Sequence, residues 1–389
     1  MPATDWTALR TEFPTLNHWT YLDVARKTIP PHCQEQAVQD YYKDVYAEAG
    51  ADAWSATNVA QAREELARLL GADPAEIAFT KNTTEGLVIA AHAFPLAPGD
   101  NIVLTDMEHV ANIWVWKHWE RKGVEIRYAK NDRGRLPLKA FLDVIDARTR
   151  VVSTAYITYG NGYRVNLPEL GAACRERDIR LVVDGVQAAG IIAMPLKDLG
   201  ADLIAIGGHK GLLGLTGSGV VFCRKALVNT IETPFIKDAV APGSATAHAH
   251  VNSQFDYVRI AHRFEGGNPN FLGVRVLRAG ARFLQSIGIG NIEQRVRHLS
   301  GVCLQALQKH GLKTTTPAAW EERGHIIRII VPNADAIMQA LREEERIVIN
   351  VKDDALRLSM SFFNTEEEIE RAVQSIARRA GASRKSAAA

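Results

Sequence analysis

The stretch that decides the fold is 181–219, LVVDGVQAAGIIAMPLKDLGADLIAIGGHKGLLGLTGSG, in which two apolar runs each end at polar side chains. The run LVVD is typical of a buried strand, and it ends at Asp184. The run ADLIAIGG leads into His209 and Lys210 on a glycine-rich turn. Ligands of open α/β sheets bind beyond the carboxyl ends of the strands. The sequence therefore predicts an acid and an amine close together at one sheet edge.

Over much of the rest of the chain, strand patterns alternate with helical patterns, as a parallel sheet requires. Strand patterns such as AEIAFT, NIVLT and TRVVSTAYIT are separated by helical patterns. From about residue 271 long amphipathic helices take over, followed by the strands HIIRIIVP and IVINV and a last helix. We therefore expect a large α/β domain over 16–265, a smaller α+β domain formed by 1–15 and 266–380, and a disordered tail over 381–389.

Composition argues against a nucleic-acid-binding protein and against a membrane protein. The 389 residues carry 46 Lys and Arg against 44 Asp and Glu, a net charge of +2, which gives no reason to expect nucleic-acid or membrane binding. No apolar run approaches the length of a membrane span, and residues 1–10 have no apolar signal core. We expect a cytoplasmic protein.

Metal sites and disulfides are not expected either. The cysteines form no CxxC pair or zinc spacing, and His248 and His250 lack a third ligand nearby. The glycine-rich turn around Lys210 lacks the ending of a P-loop and the spacing of a dinucleotide site.

Residues 184–188, DGVQA, followed by 208–210, GHK, resemble the signature of the class V aminotransferase and cysteine desulfurase family. The resemblance implies fold type I of the enzymes that depend on pyridoxal 5′-phosphate (PLP). It implies that Lys210 forms a Schiff base with PLP and later abstracts the α-proton of an amino acid substrate, while Asp184 keeps the ring nitrogen protonated. Taken singly, a structural Asp184 and a solvated Lys210 are fair alternatives; together the two residues favour the functional interpretation.

Further cofactor contacts follow from the same resemblance. The turn at 81–86, KNTTEG, matches the phosphate-binding turn at Thr83 and Thr84, although helix capping by threonine is the alternative. His109, within MEHVAN, matches the histidine that stacks on the PLP ring and lies within proton-transfer reach of the substrate.

Two positions depart from the desulfurase pattern. Tyr159 stands where those relatives place an asparagine near the 3′-oxygen of PLP. Gln187 is therefore the candidate partner of that oxygen. An aromatic residue at this position resembles the isopenicillin-epimerase-like branch of the family. Gly207 stands where desulfurases have a serine whose hydroxyl binds the phosphate of PLP. Without that hydroxyl, His209 and the turn at 83–84 must supply more of the phosphate contacts.

The segment 263–270, RFEGGNPN, resembles one that reaches across a dimer interface to the phosphate of the neighbouring subunit. Asn268 stands where threonine is usual, and its amide can still donate a hydrogen bond. The resemblance implies a homodimer with shared active sites.

Arg357 matches the arginine that binds the substrate carboxylate, a role that suits a bidentate guanidinium. Arg26 and Tyr159 are further candidate substrate contacts, although a solvent-facing charge is the simpler interpretation of Arg26. Desulfurases carry a catalytic cysteine on a loop that here is reduced to 352–355, KDDA. We therefore expect a lyase that breaks a C–S bond or eliminates a β-substituent without a persulfide cysteine. An epimerase or an aminotransferase is the close alternative, and a non-catalytic PLP-binding scaffold is less favoured.

Overall fold

The computed structural model describes residues 4–235 and 258–386. Its helices are α1 Trp6–Thr11, α2 His32–Glu48, α3 Ala56–Leu69, α4 Thr83–Ala93, α5 Val110–Lys117, α6 Leu138–Leu142, α7 Leu167–Arg175, α8 Lys225–Val228, α9 Phe271–Ile287, α10 Ile289–Lys309, α11 Ala334–Glu345 and α12 Glu366–Ser386. Its strands are β1 Thr20–Tyr21, β2 Ile77–Thr80, β3 Asn101–Thr105, β4 Glu125–Ala129, β5 Thr149–Ala155, β6 Arg180–Asp184, β7 Leu203–Gly207, β8 Gly219–Cys223, β9 Lys313–Thr314, β10 Ile326–Ile330, β11 Ile347–Val348, β12 Asn350–Lys352 and β13 Ala355–Ser359.

The main sheet contains seven strands in the order β2-β8-β7-β6-β5-β3-β4. The strands from β7 to β4 pair in parallel, whereas β8 pairs antiparallel with both β7 and β2. In the register of the central strands, Asp184 lies opposite Ala155 on one side and Ala205 on the other. The predicted α/β fold with a mainly parallel sheet is confirmed, and Asp184 lies at the carboxyl end of a central strand.

Helix α4 lies directly on strand β7. A Cβ atom added to Gly86 would come within 2.8 Å of the Cβ atom of Ala205, so only glycine allows this close approach. The contact brings the N-terminus of α4 close to the end of β7, where His209 and Lys210 follow.

The C-terminal part of the chain forms an antiparallel sheet of four strands, β12-β13-β10-β9, which packs with α10, α11 and α12 around a separate apolar cluster. Strand β1 pairs in parallel with β11, and Asp23 forms a bridge with Ser359. Leu22 is fully buried in the same cluster. Residues 20–23, which we had grouped with the large domain, therefore contact the C-terminal segment, and the two-domain division itself remains a prediction.

One expectation about the chain end needs correction. Helix α12 continues to Ser386, so residues 381–386 are helical where we expected a disordered tail, and 387–389 lie outside the described residues. Most of the loop expected at 235–262, with His248 and His250, also lies outside them. Within 4–235 and 258–386, no helix is long and apolar enough to cross a membrane, and no group of three His, Cys, Asp or Glu residues could hold a metal ion.

Candidate active site

A cavity of about 890 Å³ opens where the carboxyl ends of the parallel strands face the C-terminal sheet. It is lined by nearly every residue that the sequence singled out: Arg26, Thr83, Thr84, His109, Tyr159, Asp184, Gln187, His209, Lys210 and Arg357. Asn268 is the exception, because it is exposed on the segment before α9 and does not line the cavity. The tertiary structure thus brings together ten residues that are scattered over the chain.

Asp184 and Lys210 form the acid and amine at the base of the cavity. Asp184 is buried, and its Oδ1 accepts a hydrogen bond from the Val186 N–H at 3.0 Å. Burial raises the pKa of Asp184, and the nearby Lys210 opposes that rise. Burial lowers the pKa of Lys210 to about 8, against the attraction of Asp184. An amine with such a pKa is partly neutral near pH 7, which is the form that attacks an aldehyde carbon.

The N-terminus of α4 provides one polar end of the cavity. Asn82 caps this helix, its Oδ1 accepting a hydrogen bond from the Glu85 N–H at 2.9 Å, and Thr83 and Thr84 are the first helical residues. The first backbone N–H groups of a helix have no partner within the helix and favour anions. Burial lowers the pKa of the adjacent His209 to about 4, so its ring is neutral at pH 7. This end of the cavity is suited to a phosphate group.

Gly207 has a steric reason to be glycine. A Cβ atom at this position would lie 2.9 Å from the Thr83 hydroxyl oxygen and within 3.2 Å of ring atoms of His209. The space that a serine side chain would need is already filled by the two side chains expected to bind phosphate.

His109 lies at the N-cap of α5 and packs edge-on against Tyr159, with 5.2 Å between ring centroids and an interplanar angle of 89°. Its Nδ1 accepts a hydrogen bond from the Ala111 N–H at 3.2 Å, which assigns the ring proton to Nε2. Burial first, and then the positive charge of Lys210, lower the pKa of His109. The ring is therefore neutral and flat, as stacking on an aromatic cofactor requires.

Sequence reasoning missed Glu108, which fixes the turn that carries His109. Its buried carboxylate accepts hydrogen bonds from the Thr105 hydroxyl at 2.7 Å, the Asn112 amide at 2.9 Å and the Ala155 N–H at 3.1 Å. Burial raises the pKa of Glu108 to about 7. In the sequence, only its position next to His109 could have indicated that Glu108 belongs to the site.

Arg357 on β13 is 2% exposed and is held by two contacts. Its Nη1 donates to the Tyr159 carbonyl at 3.0 Å, and its Nη2 donates to Oδ1 of Asp23 at 3.2 Å. Asp23, also missed by sequence reasoning, accepts a further hydrogen bond from the Asn350 amide at 3.2 Å. Nε of Arg357 is buried without a partner among the described residues. The guanidinium has five N–H donors, of which these two contacts use two, and the free donors suit a planar carboxylate.

Gln187 presents a second buried group without a partner. Its Nε2 donates to the Ala25 carbonyl at 3.0 Å, whereas Oε1 has no hydrogen-bond partner within the described part of the chain. A buried acceptor of this kind is costly unless a ligand donates to it. The phenolic 3′-oxygen of PLP can supply that donor.

The connection that we predicted to be short is a two-residue turn. Lys352 pairs with Ala355 in the hairpin of β12 and β13, and Asp353 and Asp354 take positive φ angles of 48° and 58°. Nη2 of Arg328 donates to the Asp353 carbonyl at 2.7 Å and holds the turn. No cysteine is among the described residues that line the cavity.

The chain matches the family model for class-V aminotransferases over residues 20–372. It belongs to the class V aminotransferase family. It is 27% identical over 94% of its length to an uncharacterized aminotransferase of Bacillus subtilis, of which it covers 95%. It is 28% identical to the cysteine desulfurase of Serratia proteamaculans, with 95% of this chain and 97% of that protein covered. The predicted membership is confirmed.

Solved structures share the fold. The apo cysteine desulfurase of Thermococcus onnurineus has a TM-score of 0.87 at 24% identity, covering 98% of this chain and 100% of that one. The cystine C–S lyase C-DES, solved with cysteine persulfide, has a TM-score of 0.85 at 23% identity, covering 94% and 99%. A mutant of C-DES carries glycine linked covalently to PLP. The class V family is PLP-dependent, and the cavity fits this cofactor through the Lys210 amine, the Asp184 carboxylate, the α4 N-terminus and the unpartnered Oε1 of Gln187.

Proposed function

We propose that this protein is a PLP-dependent lyase that breaks a C–S or other β-substituent bond of an amino acid. The observation that carries the proposal is one cavity that combines a partly neutral buried lysine, a buried carboxylate and an arginine with free donors. The PLP dependence of the family supports it, as does the absence of cysteine among the described lining residues.

The proposed cofactor contacts follow from the geometry. PLP, when bound, withdraws electrons from the α-carbon of an amino acid that is joined to it. Lys210 Nζ would hold the aldehyde carbon of PLP, and the Asp184 carboxylate would accept a hydrogen bond from the protonated ring nitrogen. The phosphate is held by the N–H groups and hydroxyls of Thr83 and Thr84 with His209.

The reacting amino acid needs a second set of contacts. Arg357 binds the α-carboxylate through its free donors, and His109 covers the ring face. With cofactor and substrate bound, Lys210 Nζ would be the base that takes the α-proton. Loss of the α-proton would let the β-substituent leave with the electron pair of its bond to the β-carbon, and hydrolysis of the remaining fragment would give a 2-oxo acid and ammonia.

The lyase is favoured over a persulfide-forming desulfurase because the hairpin of β12 and β13 has only a two-residue turn. The curated relatives named cysteine desulfurase support chemistry at a sulfur-bearing amino acid. The aminotransferase alternative rests on the name of the Bacillus subtilis relative.

An epimerase is the second candidate, and the contact between His109 and Tyr159 favours it. An epimerase must return a proton to the opposite side of the α-carbon, and a phenol or an imidazole lining the cavity can carry that proton.

The proposal includes a homodimer in which Asn268 contacts the phosphate of the neighbouring site. This contact is consistent with the exposure of Asn268 outside the cavity of its own chain. A cytoplasmic location stays a prediction from the sequence.

The test is a visible spectrum of the holoenzyme followed by incubation with a panel of amino acids in deuterium oxide. We expect a 2-oxo acid with ammonia, and sulfide or a thiol from sulfur-containing substrates. Deuterium at the α-carbon with change of configuration and without oxo acid would replace the lyase by the epimerase. Lys210→Ala should abolish the borohydride-sensitive absorbance, and its retention would refute the assignment of this lysine.

A further inference from the structure

The cavity extends beyond the residues that the proposed function uses. Its outer part is lined from α11 and the β11–β12 segment by Asp335, Met338, Gln339, Arg342, Asn350 and Lys352, and Arg26 faces it from the N-terminal segment. None of these side chains is needed to bind PLP or an α-carboxylate. They line the same cavity as Arg357, which is proposed to hold the amino acid substrate.

The outer cavity carries more positive charge than the described residues neutralise. Arg26 and Lys352 make no ion pair and no side-chain hydrogen bond with any residue in 4–235 or 258–386. Arg342 is an additional cation at the rim, where its guanidinium stacks on the Trp19 ring at 5.0 Å. A cation that lines a cavity without a counter-ion favours an anionic ligand.

The carboxylates near this region do not cancel that charge. Asp353 is bound by Arg328 at 3.4 Å, and Asp23 is bound by Arg357 at 3.2 Å. Asp335, exposed in the first turn of α11, is the remaining acid among the lining residues of the outer cavity.

Both unpaired cations lie close to the reacting centre. Lys352 contributes to lowering the pKa values of His109 and Lys210, and Arg26 lowers the pKa of Arg357. Arg26 and Lys352 also line the same cavity as Lys210 and Arg357. A substrate side chain inside this cavity can therefore meet these two cations.

The anionic groups of the cofactor and the substrate backbone already have partners. In the proposed function the phosphate is held at the α4 N-terminus, and the α-carboxylate is held by Arg357. Arg26 is exposed, Lys352 is half-buried, and Asp23 attracts Arg26 without forming an ion pair with it, so binding of both groups gives neither cation an ion-pair partner. A neutral substrate side chain that displaced water from these cations would not replace the lost contacts.

We propose that Arg26 and Lys352 bind a second anionic group at the end of the substrate side chain, so that the substrate is an acidic amino acid. The group is a carboxylate, whose two oxygens can accept hydrogen bonds from both cations. This inference rests on the proposed function, because it requires an amino acid held by Arg357. The two-residue turn after Lys352 leaves this part of the cavity open to such a side chain.

The test compares side chains of matched shape and different charge on the holoenzyme. The visible absorbance is titrated with L-glutamate against L-glutamine and with L-aspartate against L-asparagine, and L-alanine serves as the small neutral reference. At least one anion should bind ten times more tightly than its amide or better. Arg26→Gln and Lys352→Gln should each reduce this ratio at least threefold, while the control Lys309→Gln, which removes a charge outside the cavity, leaves it unchanged.

The outcomes separate the inference from the proposed function. Spectral responses to amino acids with equal affinity for anion and amide, or with preference for the amide, would overturn the acidic-substrate inference alone. A holoenzyme whose absorbance responds to no amino acid would overturn both. If Arg26→Gln does not retain bound cofactor, Lys352→Gln decides, since the two residues lie on different segments of the chain. Loss of charge selectivity in Lys309→Gln as well would assign it to overall charge and refute a specific site.

Discussion

The Lys210 amine should be an unusually good nucleophile in the cofactor-free protein. Its pKa is lowered from 10.5 to about 8, mainly because burial disfavours the charged form. At about pH 7.5 roughly a quarter of such an amine is neutral, whereas roughly one lysine in a thousand is neutral at a pKa of 10.5. Lys210 should therefore react on the order of 200 times faster than its ordinary pKa would allow.

The assay is reductive methylation of the cofactor-free protein with formaldehyde and cyanoborohydride, followed by mass spectrometry of each lysine peptide. Formaldehyde is small enough to enter the cavity that Lys210 lines. The rate at Lys210 should rise with pH and level off above about pH 8, with the exposed Lys309 as the internal reference. Identical pH profiles for the two lysines would refute the argument.

Neighbouring charges should move this midpoint in opposite directions. Lys352 lowers the pKa of Lys210, so Lys352→Gln should raise it, whereas Asp184 raises that pKa, so Asp184→Asn should lower it. Each shift should be smaller than the lowering due to burial, which is the largest cause, and Asp184→Asn should have the larger effect of the two. Shifts of the same sign in both variants would contradict the electrostatic explanation.

Three further predictions concern residues around the cavity. Asp23→Ala should reduce the free energy of unfolding by about 3–5 kcal/mol in urea denaturation, because it leaves the buried Arg357 charge without its ion-pair partner. A loss below about 1 kcal/mol would contradict this explanation. The raised pKa of Glu108, about 7 against 4.5, stabilises the fold below pH 4.5, and this contribution of about 3 kcal/mol is lost as the pH rises through 7. Glu108→Gln should remove that part of the pH dependence of unfolding, and an unchanged slope would refute it. Gly207→Ala should weaken PLP affinity about tenfold in spectroscopic titration because its Cβ meets the Thr83 hydroxyl, and equal affinity would show that this close approach is relieved at no cost.

Much of the site was predictable because its residues follow local patterns. Asp184 and Lys210 each follow a short apolar run, and parallel strands place such ends at one edge of a sheet. Thr83 and Thr84 open a helix after a strand in the same way. The resemblance to a family supplied Arg357, whose own strand pattern is ordinary.

The partners of these residues were not predictable, because they come from distant parts of the chain. Asp23 and Arg357 are 334 positions apart, and only the pairing of the first strand with the C-terminal segment brings them together. The role of Glu108 depends on burial against β5, which its sequence neighbours do not reveal. The same holds for the unpaired charges of Arg26 and Lys352, since a cation is unpaired only with respect to its three-dimensional surroundings.

The sequence by itself therefore determined the alternation of strands and helices, the acid and the amine at the strand ends, and the absence of a cysteine between residues 304 and 389. Only the tertiary structure decided which carboxylate holds Arg357, why Gly207 has no room for a side chain, and which cations face the outer cavity. The physical reason is that strand periodicity acts over a few residues. Burial, packing and charge pairing depend on distances in space between segments that the chain order leaves unspecified.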